Sequence, residues 1–290
     1  MSILVIGSNG FVGRNLCFAL KSAGFSVIRV VSDKKQSDPK NNIFSVGDVL
    51  ETATTIKSDI DVVINLASKR STSYAQISDE EVRFATYSSV KEIISKVSRP
   101  GTLVMNTSTY IQNHLGIPGK TVDTYSAAKQ ELSTFLQEFS HDRDVSVLDL
   151  FLFTLYGEGD NPNHLVPILM SAAKKQTKIN LSPGNQLIGL THISDVVQNY
   201  LSCLKIEASL GYKQYYLWDT ELITVKTLVK IIEEVSEVEI PTVWGSRSYS
   251  GHEMLTKWPN FMERLPNFKI DVELRSGLLQ LWNNTSHKNT

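Results

Sequence analysis

The feature that most constrains the fold is a glycine-rich segment near the start of the chain, 3-ILVIGSNGFVGRNLCFAL-20. An apolar run that predicts a β-strand leads into Gly7, Gly10 and Gly13, and a run that predicts a helix from about Phe11 to Ser22 follows. At such a turn the first glycine permits a tight bend, the second lets backbone N–H groups approach a pyrophosphate, and the third allows close helix packing. The segment predicts the phosphate end of a dinucleotide site, and the alternative is a tight turn without a ligand.

The first half of the chain alternates short β-branched runs with amphipathic stretches. The further predicted strands are 26-SVIRVV-31, 43-IFSV-46, 61-DVVINLA-67, 102-TLVMNTS-108 and 145-VSVLDLF-151. Helices are predicted around Glu80 to Val97 and from about Tyr125 to Phe139. Strands that are apolar on both faces and separated by helices are typical of a parallel sheet covered on two sides. The pattern predicts a doubly wound α/β fold of the Rossmann type, and its weakening after Tyr156 predicts a smaller second lobe.

The bulk composition narrows the class of partner. Lys and Arg number 29 against 30 Asp and Glu, and no basic block stands out, so nucleic acid and anionic membranes are not predicted partners. Cys17 and Cys203 fit neither a disulfide framework nor a metal-ligand spacing, and no metal site is predicted. Because Met1 runs straight into an apolar strand and no segment approaches about 20 apolar residues, we expect a cytoplasmic protein without membrane insertion.

Two tyrosine–lysine pairs have the spacing that places both side chains on one helix face. Tyr87 and Lys91 form one pair, and Tyr125 and Lys129 form the other. A nearby ammonium favours the phenolate and lowers the pKa of a tyrosine, which makes the phenol a usable proton donor. The second pair follows the strand that ends at Ser108, and ligands of open α/β sheets bind at the carboxyl ends of strands. Position therefore favours Tyr125 and Lys129, and helix-surface coincidence is the alternative.

Several motifs in chain order resemble the extended short-chain dehydrogenases/reductases, the NAD-dependent epimerase/dehydratase family of nucleotide-sugar enzymes. They are the GxxGxxG glycines, Gly47-Asp48-Val49, 62-VVINLAS-68 and 181-LSPGNQLIGLTHISDVV-197. The resemblance implies a dinucleotide-binding Rossmann domain over residues 1–157, to which 187–206 return, and a mainly substrate-binding lobe over 158–290. It also implies a nucleotide-sugar substrate and allows a homodimer through the Tyr125 helix.

The resemblance assigns roles to individual residues. Ser108 is expected to hydrogen-bond to the substrate carbonyl, Tyr125 to deliver its proton, and Lys129 to bind the nicotinamide ribose and lower the Tyr125 pKa. The further cofactor residues are expected to be Gly7, Asn9, Gly10, Phe11, Val12, Gly13, Ser32, Lys34, Asp48, Val49, Leu66 and Ala67, and the substrate residues Ser68, Thr109 and His192. Thr107 and Thr109 are neighbours that could share the Ser108 role, and a structural histidine is the alternative for His192.

The choice of cofactor depends on the end of the second strand. An acidic residue there binds the ribose 2′-hydroxyl of NAD, whereas this chain has Val31 followed by Ser32, Asp33 and Lys34. We expect NADPH. The alternative is a solvated turn in which Asp33 contacts the ribose of NAD.

Departures from the family pattern separate the possible reactions. Dehydratases follow the catalytic hydroxyl residue with Asp-Glu, whereas Ser108 is followed by Thr109 and Tyr110. The gap from Ser108 to Tyr125 (125 − 108 = 17) is typical of 4-keto-6-deoxyhexose reductases, which act on CDP- or dTDP-linked sugars for surface polysaccharide such as O-antigen. An epimerase that retains NAD and a non-catalytic NAD(P) sensor are the alternatives.

The substrate lobe lacks two family arginines. Their positions carry Phe151 and Ile188, which leaves open how a diphosphate is held. The candidate replacements are Lys174, Lys175, Lys178, Arg247 and Lys257, each with a solvated surface side chain as the alternative.

Overall fold

One parallel sheet of eight strands forms the centre of the molecule in this computed structural model, which describes residues 1–51, 56, 59–70, 76–206, 211–218, 221–258 and 262–286. The order is β3-β2-β1-β4-β5-β6-β11-β14, and every neighbouring pair is parallel. The strands are β1 (Ser2–Ile6), β2 (Ser26–Val31), β3 (Ile43–Ser45), β4 (Val62–Asn65), β5 (Leu103–Thr109), β6 (Ser146–Leu152), β11 (Gly211–Leu217) and β14 (Glu263–Arg264).

Helices cover both faces of this sheet, because its strands are apolar on both faces. In β1, Ile3 and Val5 enter one buried cluster and Leu4 and Ile6 enter another. The first cluster includes α1 (Phe11–Ser22) and α7 (Ile193–Cys203), and the second includes α2 (Val46–Glu51), α4 (Ser89–Val97) and α5 (Thr124–Asp142). The predicted doubly wound α/β fold is confirmed.

The predicted helix before the fifth strand is interrupted. It begins as α3 (Asp79–Arg83), passes through a π-helical turn over Phe84–Ser88, and continues as α4. Tyr87 therefore lies in the π-helical turn, and Lys91 lies in the first turn of α4.

A third buried cluster lies in the second half of the chain. It is built on α6 (Leu165–Lys175), α8 (Val225–Ser236) and α9 (Leu274–Ser286). Six short strands accompany it, namely β7 (Thr154–Tyr156), β8 (Ile179–Asn180), β9 (Leu187–Ile188), β10 (Leu190–His192), β12 (Ile223–Thr224) and β13 (Thr242–Val243). The second half of the chain also supplies β11 and β14 to the main sheet and α7 to the helices that cover it. None of the helices described is both long and apolar enough to span a bilayer.

Candidate active site

The glycine-rich turn between β1 and α1 brings backbone into very close contact. Gly7 has a φ of +79°, and a Cβ atom there would lie 2.7 Å from the Ala67 nitrogen at the end of β4. A Cβ atom on Gly13 would lie 2.3 Å from the Gly7 carbonyl oxygen. Both positions therefore require glycine, and the turn holds α1 tightly against the strand ends.

The N-terminus of α1 is open to the cleft. Gly10 is its N-cap and makes no side-chain capping bond, while Gly10, Phe11, Val12 and Gly13 line the cleft. The first N–H groups of a helix have no partners within the helix, and they carry partial positive charge that attracts phosphate. These residues therefore fit the pyrophosphate of a dinucleotide cofactor.

Asn9 lies within this turn and joins it to two other parts of the chain. Its amide donates to Gln36 Oε1 at 2.8 Å, and its carbonyl oxygen accepts from Arg14 Nη1 at 2.5 Å. The other Arg14 nitrogen, Nη2, donates to the Gly159 carbonyl oxygen at 3.0 Å. Arg14 thus ties the glycine-rich turn to the loop after β7.

The end of β2 carries no acidic side chain. Val31 is its last residue and is buried, and the exposed Ser32, Asp33 and Lys34 follow. Asp33 accepts from the Lys35 backbone N–H at 2.9 Å and so caps a short 3-10 helix that starts at Lys34. The groups exposed at this strand end are therefore a hydroxyl, a carboxylate that caps the next turn, and an ammonium.

Asp48 forms local hydrogen bonds at the start of α2. Its carboxylate accepts from Ser37 Oγ at 2.7 Å and from the Ser45 backbone N–H at 2.8 Å. These bonds lower the pKa of Asp48, and the bond from the Ser37 hydroxyl has the largest effect. The neighbouring Val49 side chain is buried in the core against the sheet. Asp48 therefore joins the segment after β2 to the end of β3.

Lys129 lies buried at the carboxyl ends of two central strands. Its Nζ donates to the Thr107 carbonyl oxygen at 2.6 Å and to the Ala67 carbonyl oxygen at 3.3 Å. Burial lowers the pKa of Lys129 to about 8, while the negative charge of Asp149 acts in the opposite direction. The ammonium is fixed by backbone carbonyls of β5 and of the segment after β4, inside the cleft.

Tyr125 lies one helical turn before Lys129, in the first turn of α5. Burial raises its pKa, and the Arg70 guanidinium is the strongest influence in the other direction. The Arg70 Cζ lies 5.4 Å from the centre of the Tyr125 ring. Hydrogen bonds with Ser68 and Thr109 also lower the pKa of the phenol. Arg70 is thus the cation that lowers the Tyr125 pKa, and burial outweighs it.

Arg70 is also held at the start of α5. Its Nη2 forms an ion pair of 2.9 Å with Asp123 Oδ2, and Asp123 is the N-cap of α5 through a 2.7 Å bond from the Ser126 N–H. Arg70 is not among the residues predicted from the sequence. The available signal was its position a few residues beyond the end of β4, where the carboxyl ends of the strands gather the ligand-binding groups.

Ser108 lines the cleft and belongs to a buried polar network. Its Oγ donates to Asp149 Oδ1 at 2.6 Å and lies 3.2 Å from Ser133 Oγ. Asp149, which is fully buried on β6, also accepts from Asn106 Nδ2 at 2.8 Å and from the Tyr212 hydroxyl at 2.6 Å. Asp149 could not be predicted from the sequence, because a carboxylate within an apolar strand belongs to no motif.

The cleft has a volume of about 1260 Å³ and extends from the N-terminus of α1 to the second half of the chain. At its cofactor side it is lined by Leu66 and Ser68, next to Ala67. Arg247 and Ile188, from the second half of the chain, also line it. Lys174, another candidate replacement for the missing arginines, instead stacks on the Trp282 ring at 4.6 Å.

His192 does not line this cleft. Its Nδ1 lies 2.6 Å from Ser194 Oγ, and its ring packs edge-on against Tyr156 with centroids 5.1 Å apart. It is the N-cap of α7 and borders a separate groove between α1 and α7. The structure therefore gives His192 a capping role at a distance from Tyr125, because β10 pairs with β7 and directs the residue toward α7.

Comparison with known proteins places the chain among nucleotide-sugar enzymes. Residues 3–215 match the model of the NAD dependent epimerase/dehydratase family. CDP-abequose synthase of Salmonella typhimurium is 24% identical over 73% of each chain. UDP-glucuronate 4-epimerase 1 of Arabidopsis thaliana is 23% identical over 82% of this chain and 66% of its own length.

A solved structure shares the fold. UDP-glucuronic acid 4-epimerase from Bacillus cereus, in complex with UDP-glucuronic acid and NAD, superposes with a TM-score of 0.83. The two chains are 18% identical, and the match covers 99% of this chain and 100% of the other.

Proposed function

The chain belongs to the NAD dependent epimerase/dehydratase family, and from that premise we propose that it reduces the 4-keto group of a nucleotide-linked 4-keto-6-deoxyhexose. NADPH is the proposed reductant, and CDP- or dTDP-linked sugars of surface polysaccharide such as O-antigen are the proposed substrate class. The similarity to CDP-abequose synthase supports this choice within the family.

The proposed chemistry is a carbonyl reduction. The bound nicotinamide supplies a hydride to C4 of the sugar, and Tyr125 donates its phenolic proton to the carbonyl oxygen, so that C=O becomes CH–OH. Lys129 holds the nicotinamide ribose, and a hydroxyl group at the end of β5, where Ser108 and Thr109 lie, hydrogen-bonds to the same carbonyl oxygen. The N-terminus of α1, with Gly10 to Gly13, holds the pyrophosphate.

One observation carries this proposal. Tyr125 and Lys129 line the same cleft as the uncapped N-terminus of α1, at the carboxyl ends of the central strands. A cofactor whose pyrophosphate lies at Gly10 can therefore reach the phenol with its nicotinamide. This arrangement supports a redox step on a bound substrate.

The residues after Ser108 argue against dehydration. A dehydratase needs carboxyl groups to remove water, whereas this chain has Thr109 and Tyr110. The Tyr110 ring stacks on Phe153 with centroids 4.7 Å apart and planes 4° from parallel. This wall of the cleft is aromatic at the position where a dehydratase carries an acid.

The end of β2 supports NADPH over NADH. Val31 offers no carboxylate to a ribose 2′-hydroxyl, while Ser32 and Lys34 are exposed and offer a hydroxyl and a positive charge to a 2′-phosphate. A reductase that must exchange its cofactor after each turnover commonly uses NADPH. We further propose that Arg247 helps to hold the diphosphate of the sugar nucleotide, since it lines the cleft near Ile188.

The test is turnover of defined keto-sugars. The purified protein is mixed with CDP- or dTDP-linked 4-keto-6-deoxyglucose and with NADPH or NADH, and loss of nicotinamide absorbance is followed together with the sugar product by mass spectrometry. We expect NADPH to be consumed in step with formation of the 4-hydroxy sugar. Turnover that is unchanged in Tyr125→Phe, or a complete lack of turnover across the substrates, overturns the proposal.

An epimerase is the second candidate, because UDP-glucuronate 4-epimerases also match the chain over 82% of its length. An epimerase returns the hydride to the same sugar and needs no net reductant. It predicts that desalted protein retains NAD and interconverts two nucleotide sugars without added NADPH. The reductase predicts that desalted protein is inactive until NADPH is supplied.

A further inference from the structure

The cleft has a polar side and an apolar side at the end of β5. In the sheet, β4 and β6 lie on opposite sides of β5. The segment after β4 carries Ser68 and Arg70, which line the cleft. The end of β6 and the residue after it carry Leu152 and Phe153, which line the cleft as well. A sugar held at the end of β5 therefore meets hydrogen-bonding groups toward β4 and mainly apolar side chains toward β6.

The apolar side is built on a stack of aromatic rings. Thr109 and Leu152 are register partners in the parallel pair of β5 and β6. One residue further along each chain segment, the rings of Tyr110 and Phe153 stack with centroids 4.7 Å apart. The ring of Trp218, directly after β11, stacks on Phe153 with centroids 4.6 Å apart. We call Tyr110, Phe153 and Trp218 the aromatic wall, of which the first two line the cleft.

Backbone supports the aromatic wall from behind. A Cβ atom on Gly189 would lie 2.5 Å from Trp218 Nε1, so the indole lies directly against the backbone at this glycine. The Gly189 carbonyl oxygen also accepts from the Thr154 N–H at 3.0 Å, next to Phe153 in the chain. The rings are thus held between the strand ends and a second segment, and a substrate must fit a fixed surface.

The aromatic wall begins beside the proposed proton donor. Burial raises the pKa of Tyr110, and its electrostatic interaction with Tyr125 raises it further, so the two phenols lie near each other in the cleft. In a hexose, C6 is attached to C5, the direct neighbour of C4. A sugar whose C4 oxygen lies at Tyr125 therefore brings its C6 substituent close to the Tyr125 surroundings, where the aromatic wall is the apolar part.

We propose that the aromatic wall receives the C6 methyl group of the sugar and selects a 6-deoxyhexose over a hexose with a C6 hydroxyl. A methyl group buried against the rings leaves water favourably, whereas a hydroxyl there would lose water and find no partner on the Phe153 ring. The hydroxyls of the other sugar carbons are left to Ser68 and Arg70 on the β4 side. This assignment rests on the proposed carbonyl reduction and names the residues that set its substrate class.

The first test measures binding and does not depend on turnover. CDP-6-deoxyglucose and CDP-glucose differ by one oxygen atom at C6, and calorimetric titration in the presence of NADP⁺ gives a Kd for each. The dTDP-linked pair is titrated in the same way. We expect the 6-deoxy ligand to have a Kd at least about tenfold lower, since apolar pockets reject an added hydroxyl by up to about 100-fold. Equal Kd values for the two sugars overturn the proposal.

The second test changes the aromatic wall. Phe153→Ser opens the wall and supplies a hydroxyl, so we expect the two Kd values to come within about threefold of each other. Tyr110→Phe keeps both rings and should keep the preference, and its loss in this variant would assign the selection to the Tyr110 hydroxyl and overturn the proposal. The matched control is Phe135→Ser, which should also keep the preference. Phe135 packs on Phe139 within α5 and is not among the described residues that line the cleft.

A further variant acts on the aromatic wall from behind. Gly189→Ala adds a Cβ atom that pushes Trp218 toward Phe153 and changes none of the described side chains that line the cleft. We expect it to raise the Kd of the 6-deoxy ligand and so reduce the preference. An unchanged preference in both Gly189→Ala and Phe153→Ser overturns the proposal.

Failure of this proposal and failure of the proposed reduction give different results. A 6-deoxy preference without turnover of any keto-sugar leaves the role of the aromatic wall standing, while the reduction fails. Turnover of keto-sugars without a 6-deoxy preference overturns the role of the wall and leaves the reduction. Binding of none of the four sugar nucleotides overturns both.

Discussion

The two tyrosine–lysine pairs have the same spacing but very different surroundings. Lys91 Nζ reaches the Tyr87 hydroxyl at 3.4 Å on the exposed side of α4. Lys129 Nζ instead donates to backbone carbonyl oxygens of Thr107 and Ala67 and is buried in the cleft. The direct contact that the spacing predicts is therefore found in the pair outside the cleft. Contact between the two side chains is not what distinguishes a candidate catalytic pair.

Each of the two tyrosines has an arginine near its ring. The guanidinium of Arg83 lies 5.4 Å from the Tyr87 ring, and that of Arg70 lies 5.4 Å from the Tyr125 ring. The two pairs differ in their position relative to the sheet. Tyr125 is in the helix that follows β5 and stands over the carboxyl ends of the strands, whereas the helix of Tyr87 precedes β5. Chain order relative to the sheet places one pair in the cleft and leaves the other outside it.

The largest expected difference between the pairs is in kcat. Tyr125→Phe removes the proposed proton donor, and we expect a loss of about 1000-fold, within the range for positioned general acids. Tyr87→Phe serves as the matched control, with kcat within about threefold of the wild type because surface substitutions rarely matter. Initial-rate kinetics with the keto-sugar measures both. Equal losses of kcat in the two variants would contradict the assignment of Tyr125 as the proton donor.

The two lysine substitutions should differ nearly as much in their effect on kcat/KM for NADPH. Lys129→Met removes the ammonium that is proposed to hold the nicotinamide ribose, and we expect kcat/KM for NADPH to fall about 100-fold, as for other positioned donors. Lys91→Met should change it by less than about threefold. Cofactor titration and steady-state kinetics check both variants. A cofactor affinity that is the same in Lys129→Met as in the wild type contradicts the assignment of Lys129.

Burial of Lys129 also predicts a pH dependence of stability. Its folded pKa of about 8 lies below the ordinary 10.5, so between these pH values the unfolded chain holds a proton that the folded chain has lost. The free energy of unfolding of the wild type should therefore rise with pH across this window, relative to Lys129→Met, by about 3 kcal/mol. Urea denaturation at a series of pH values measures the difference. Parallel stability curves for the two proteins would mean that the ammonium keeps its ordinary pKa.

The smallest predicted effect concerns the arginines. Arg70 lowers the Tyr125 pKa, so Arg70→Met should raise it and move the alkaline limb of the kcat profile for reduction upward by about one pH unit. The limb moves to higher pH because the phenol must keep its proton to act as the acid. Arg83→Met is the control and should leave the limb in place. A downward movement in Arg70→Met would show that the phenol is not the titrating acid.

Much of the fold could be predicted from local patterns. The glycines at positions 7 and 13 are required by backbone contacts within a short stretch of chain and the strand next to it, and apolar periodicity located α1, α5 and β1. The membership of Tyr125 and Lys129 in one cleft with Gly10 followed from the rule that ligands bind at strand carboxyl ends.

The side-chain directions could not be predicted. Ser108 and Thr109 both line the cleft, and the pattern of the strand does not tell that the Ser108 hydroxyl is bonded to Asp149. Arg70 reaches Tyr125 through the path of a loop, and Asp149 is stabilised by donors from two neighbouring strands, β5 and β11. These contacts join residues far apart in the chain, so no local pattern reports them.

The most direct test of the central claim is a crystal structure of the protein with NADP⁺ and the reduced nucleotide sugar. Position in the sheet, and not spacing, predicts that the sugar C4 oxygen lies within about 3.2 Å of the Tyr125 hydroxyl, with the pyrophosphate at the N-terminus of α1. Tyr87 and Lys91 should contact neither ligand. A nicotinamide bound away from the end of β5, or a sugar oxygen beyond hydrogen-bond reach of Tyr125, would contradict the claim.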